Sequence, residues 1–149
     1  MTAEDNVEEL LEQFDLATRG FLKGNPGPLK KVYSHRQDVT LANPLGPAVR
    51  GWEQVAATLE HAASQVRDGE IVDVENVAKY VTPELAYIVR MERSEAKVGG
   101  QEAVIPISLR VTMVMRPEDG VWKIVHRHAD PSRAARPAES VIPGPAASL

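Results

Sequence analysis

The chain has 149 residues, of which 43% are hydrophobic and 26% charged, and it carries a net charge of −4 with no cysteine. A single domain of this size buries most of its apolar surface unaided, and the acidic balance speaks against nucleic acid, which rewards clustered basic surface. Lacking cysteine, it can form no disulfide, thiolate nucleophile or zinc–thiolate site.

No apolar run approaches the roughly 20 residues that span a bilayer. Met1–Glu12 is acidic where a targeting segment would be basic, so a cytoplasmic protein without a membrane partner is expected.

Val7, Leu10, Leu11, Phe14, Ala17 and Phe21 recur at helical spacing with Glu8, Glu9, Glu12 and Asp15 opposite, which predicts an amphipathic helix with an Asp5–Glu8 capping box. Its acidic side is read as a solvated face. Gly24–Pro28 stops it, and a short helix is expected over Pro28–Ser34 because proline suits a first turn. Lys23, Lys30 and Lys31 are read as solvated. Asp38–Ala42 predicts a short strand ending in the Asn43-Pro44-Leu45-Gly46-Pro47 turn. A third helix follows from about Gly51 to Arg67, with Trp52, Val55, Leu59, Ala63 and Val66 on one side and Asp68-Gly69 closing it. The period then changes from 3.6 to 2. Strands are expected at Glu70–Val81, Leu85–Lys97, Glu102–Met115 and Val121–His128, the last three forming an antiparallel meander.

The third of these strands has two characters. Ile105, Ile107, Leu109, Val111, Met113 and Met115 point one way and need a cover; Ser108, Arg110, Thr112 and Val114 point the other, either into water or into a cavity. Helices first and a meander after predict an α+β protein with the helices on one sheet face. Residues 1–130 are expected to form the domain, and Pro131–Leu149, rich in Ala, Pro and Ser, a tail or arm.

The order of these elements, with Asn43-Pro44-Leu45-Gly46, Arg50-Gly51-Trp52 and Asp119-Gly120-Val121-Trp122-Lys123-Ile124-Val125-His126-Arg127-His128, resembles the SnoaL-like branch of the nuclear transport factor 2-like superfamily. The resemblance runs from about Val7 to Asp130 and implies a cone-shaped cystatin-like fold. Ketosteroid isomerases, polyketide cyclases and the association domain of calcium/calmodulin-dependent kinase share that fold. Function varies on this scaffold, so the fold alone names none.

Comparison with the isomerases removes their chemistry. Their general base falls on Asn43, whose amide has no useful proton affinity near neutral pH, and their two oxyanion donors fall on Ala17 and Ser108. The kinase association domain matches the last strands through Arg110 and the His-x-His ending at His128. Its other pocket arginines fall on Val89 and Ala129, with Arg127 able to substitute from the same face as Ala129. Arg90, next to Val89, is expected to face away.

Arg110 is the expected centre of a ligand pocket, because an unpaired buried guanidinium costs several kcal/mol without an anion. The alternative is an internal pair with Glu92 or another carboxylate. Arg127, Asn43, Tyr33, Trp52 and Ser108 complete the candidate binding set. His126, His128 and Asp130 share a face that invites a metal reading, but the resemblance turns both histidines away from the pocket, beside Trp122 and Ile124 in a dimer interface. No metal and no cofactor is expected. His35 and Asp38 are weighed as an acid–base pair and read as exposed. Two readings stand. One is a domain binding a small polar or anionic organic ligand and pairing as a homodimer, argued from a sheet with two apolar faces. The other is a cofactor-independent cyclase, isomerase or dehydratase using His128, His126 or Asp38.

Overall fold

In the computed structural model, which describes residues 1–144, three helices lie against one face of a curved six-stranded sheet. Helix α1 (Ala3–Phe21) begins at Thr2, whose side chain accepts from the Asp5 N–H while the Asp5 carboxylate accepts from the Thr2 N–H. The capping box is therefore Thr2–Asp5, one turn earlier than Asp5–Glu8. Val7, Leu10, Leu11, Phe14 and Ala17 form its buried stripe. Burial of each large apolar side chain is worth about 1.5–3 kcal/mol. Glu4 and Glu8, on another side of the helix, pair with Lys79.

Helix α2 (Gly27–Val32) carries proline in its first turn. Strands β1 (Thr40–Ala42) and β2 (Val49–Arg50) flank the Asn43 turn, in which the Leu45 N–H donates to Asn43 Oδ1. Helix α3 (Trp52–Ser64) buries Val55, Leu59 and Ala63. Four strands follow: β3 (Val66–Val81), β4 (Ala86–Val98), β5 (Ile105–Glu118) and β6 (Val121–Pro131). The sheet order is β2-β1-β6-β5-β4-β3, antiparallel throughout except for the β1–β6 pair. The Asp119-Gly120 turn joins β5 to β6 with both residues at positive φ, 52° and 84°, the two-residue hairpin that matches strand twist.

Register shifts occur in both β3 and β6, and two of them bear on the site. Strand β3 starts four residues before the expected Glu70, because Asp68-Gly69 lies within it, at a register jump between Arg67 and Glu70. A Cβ on Gly69 would stand 2.8 Å from the Ala96 Cβ and 2.9 Å from that of Leu22. Glycine is required there for the end of α1 to dock.

In β6, Val114 is opposite His126 and Met115 opposite Ile124, so Val125 is the extra residue. Trp122 and Ile124 before the bulge, and Arg127 and Ala129 after it, all turn toward the helices. The expectation that Trp122 and Ile124 share an outer face with the histidines is corrected by this bulge, and the two-apolar-faces argument for a dimer loses those residues.

Beyond β6, the Ser132 N–H donates to the Ser108 carbonyl at 2.8 Å, and a 3₁₀ turn forms at Ala138–Val141 with no buried residue. Residues 145–149 of the expected tail lie outside the described residues.

Candidate functional site

The helices and the inner sheet face enclose a cavity of about 700 Å³, within the range of small-molecule sites. Much of its wall is apolar, with Phe21, Leu29, Leu41, Leu59, Ile107 and Leu109 among the lining residues. A chain of four charges crosses its polar side. Asp15 of α1 accepts from Arg90 of β4 at 2.6 Å, and Arg90 Nε donates to Glu92 at 2.9 Å. Across β5, Arg127 of β6 donates both terminal nitrogens to Glu92, at 2.7 and 3.0 Å.

The strand pleat explains the gathering. Ala86, Ile88, Arg90 and Glu92 alternate inward on β4, and Arg90 is opposite Val111, which is opposite Ala129. Both guanidinium carbons stand over the Phe14 ring, 5.3 and 5.1 Å from its centre, a favourable cation–π placement.

The network carries no net charge, two guanidiniums against two carboxylates. Burial alone would raise the Glu92 carboxyl. The charge and hydrogen bonds of Arg127, then those of Arg90, outweigh it and hold the group at about 2. Glu92 is therefore a fixed anion and no proton acceptor near neutral pH. Beside it, Tyr33 is fully buried, and its hydroxyl has no hydrogen-bond partner among the described residues. Burial pushes this phenol up to about 12, opposed by the charge of Arg127 and reinforced by that of Glu92.

Of the expected binding residues, Arg127, Tyr33, Asn43 and Ser108 line the cavity. Arg110 does not. It stands on the outer face with 69% of its side chain exposed, paired with Asp130 at 2.5 and 3.0 Å. The cause is the side of β5 that meets the helices: Val111, Met113 and Met115 turn inward, so their neighbours Arg110, Thr112 and Val114 turn outward, while Ser108, nearer the start of the strand, still borders the cavity. Trp52 stacks on His35, ring centres 3.8 Å apart, and is not among the lining residues.

The three catalytic candidates also lie outside. Asp38 pairs with Arg116 at 2.7 and 2.9 Å, and those hydrogen bonds lower its carboxyl. His126 Nδ1 lies 2.7 Å from Thr40 Oγ1; burial, then the neighbouring His128, lowers its imidazole. His128 is exposed, 3.9 Å from Asp130. Among the described residues no cluster of three His, Asp or Glu side chains could hold a metal.

Arg90, Glu92 and Asp15 are polar cavity residues placed differently by the sequence: Arg90 was expected to face away, Asp15 to be solvated, and Glu92 stood only as an alternative partner for Arg110. The resemblance puts the inward position of β4 at Val89, one residue short of the buried Arg90. The signal that could have found Arg90 and Glu92 was period-2 continuation from Ala86 and Ile88.

The chain is similar in structure to a nuclear transport factor 2-like superfamily protein from Salmonella enterica serovar Typhimurium, with a TM-score of 0.75, 15% identity, and 92% of this chain and 96% of that one covered. It is also similar to a candidate dehydratase of the nuclear transport factor 2-like family from Streptomyces avermitilis (TM-score 0.72, 17% identity, 89% and 98% covered). A ketosteroid isomerase-like protein from Erwinia carotovora atroseptica is similar as well (TM-score 0.67, 15% identity, 87% and 96% covered). No curated protein gives a significant match. At these identities the likenesses speak to the fold. The model of the SnoaL-like domain family matches residues 24–131, a span that holds all six strands, Tyr33, and three of the four charged groups on the cavity's polar side, and this chain belongs to that family.

Proposed function

We propose that this SnoaL-like domain binds a small organic molecule in its cavity, with an apolar body against the leucine-rich wall and hydrogen-bonding groups toward Arg127, Glu92 and Asp15. The observation that carries this reading is an apolar hollow of about 700 Å³ whose buried arginines, Arg90 and Arg127, are already neutralised by carboxylates. Such a site favours a neutral polar group over a buried anion, because a free anion would compete with Glu92 for the same donors.

The test is titration with a neutral fluorescent dye such as Nile red, repeated on Ala62→Phe, which fills the cavity from α3. Binding by the parent and its loss in a variant that still unfolds cooperatively is the expected result. Equal binding by both would overturn the reading.

An isomerase or dehydratase is the second reading. It is favoured by Asp15, whose side chain is 37% exposed and lines the cavity, the most open of the four charged groups. Asp15→Asn should then abolish turnover of a substrate while dye binding persists.

We further propose that two copies pair through the outer sheet face. The stacked Tyr80 and Tyr87, both exposed, sit on one row with Val114 and His126. Asp73, Glu75 and Arg93 lie further along, both signs on one surface, a pattern compatible with a self-complementary two-fold contact. Native mass spectrometry should give a dimer for the parent and a monomer for Tyr87→Asp; a monomeric parent would reject it.

A further inference from the structure

A second hollow, of about 400 Å³, lies where the segment after β6 folds back over the sheet, walled by Arg110, Asp130, Pro131, Arg133, Arg136 and Ser140. Its three arginines face one carboxylate. Asp130 is engaged by Nε and Nη2 of Arg110, which leaves Nη1 unused. Arg133 and Arg136 are exposed and pair with no carboxylate among the described residues. The hollow carries a net charge of +2 in a chain of net charge −4. Pro131 and Arg133 also wall the main cavity, so the two spaces adjoin.

The two sites are opposite in character. Inside, the buried guanidiniums of Arg90 and Arg127 are committed to carboxylates at hydrogen-bond distance. At the adjoining hollow, two guanidiniums are free to bind an oxyanion through their planar forks. The backbone bond from Ser132 to Ser108 pins the segment that carries them to β5.

We propose that the ligand of this domain is an amphiphilic oxyanion. Its apolar body occupies the main cavity, and its carboxylate or phosphate end lies outside it, on Arg133 and Arg136 with Arg110 behind. This rests on the cavity-binding reading above and adds the charge, its place and the residues that meet it.

The experiment is displacement of Nile red from the full chain by decanoate, decyl phosphate and decan-1-ol, each below its micellar concentration. The same series is run on Arg133→Ala/Arg136→Ala, whose sites are exposed and outside the core. Both anions should displace the dye better than the alcohol. In the double variant their advantage should fall about tenfold while the alcohol is unaffected, and salt should erode it in the parent. Preference between the two anions tells carboxylate from phosphate.

If the alcohol competes as well as the anions, or all three weaken equally in the variant, the oxyanion inference is overturned and the cavity reading stands. If no ligand and no dye binds, the cavity reading itself has failed.

Discussion

Three arginines on neighbouring strands show how much the side of a sheet decides. Arg90 and Arg127 point inward, stand over Phe14 and are bound into a neutral network through Glu92 and Asp15. Arg110, on the strand between them, points outward and meets Asp130 in water. The same chemical group is thus a structural element of the interior in two cases and a solvated charge in the third. What differs is alternation along the pleat, with the Val125 bulge setting its phase on β6. A buried pair broken by losing one partner leaves an uncompensated charge, whereas a surface pair costs little to lose.

The sharpest way to break this contrast is Glu92→Ala, which strands Arg90 and Arg127 together. It should lower unfolding stability in urea by about 3–5 kcal/mol; a loss below about 1 kcal/mol would mean that the inner network is no tighter than the outer one.

Acid should act on the same group more gently. The Glu92 carboxyl lies at about 2 in the folded chain against an ordinary 4.5, so the charged form favours folding. Its contribution is complete above pH about 4.5 and is lost as pH falls toward about 2. Urea midpoints across that window should drop in the parent and drop less in Glu92→Gln.

Tyr33→Phe removes a buried hydroxyl that has no partner among the described residues, and stability should hold or rise by about 1 kcal/mol. A loss above that would reveal an unrecognised bond.

Arg110→Ala is the smallest expected effect. Its pair with Asp130 lies in water, so calorimetry should show no measurable loss of stability; a loss approaching that of Glu92→Ala would erase the contrast.

Much of the fold was legible in periodicity. The stripe Val7–Leu10–Leu11–Phe14–Ala17 and the Asp119-Gly120 turn follow from local stereochemistry and form where expected, whereas the switch to period 2 comes earlier, α3 ending at Ser64 rather than Arg67 and β3 starting at Val66. The β2 strand of two residues carried too short a pattern to read. At the site, Arg127, Tyr33, Asn43 and Ser108 line the cavity wall as expected, Arg110 and Trp52 do not, and the histidines lie outside, as the resemblance implied. Arg90 escaped the reading because the resemblance put the inward position of β4 at Val89, and Glu92 because it was considered only as a partner for Arg110, whereas it pairs with Arg127 and Arg90.

The linear chain thus determined which segments are helices and strands, because side-chain period and turn chemistry are properties of neighbours in sequence. It also determined that β5 has one apolar and one polar side. Only the packing of α1 and α3 against that apolar side decided that Arg110 meets water. Only the unpaired Val125 decided that Arg127, and not His126, faces Glu92. One residue inserted in a strand reverses every side chain beyond it, and whether it is inserted depends on hydrogen bonding to a partner strand.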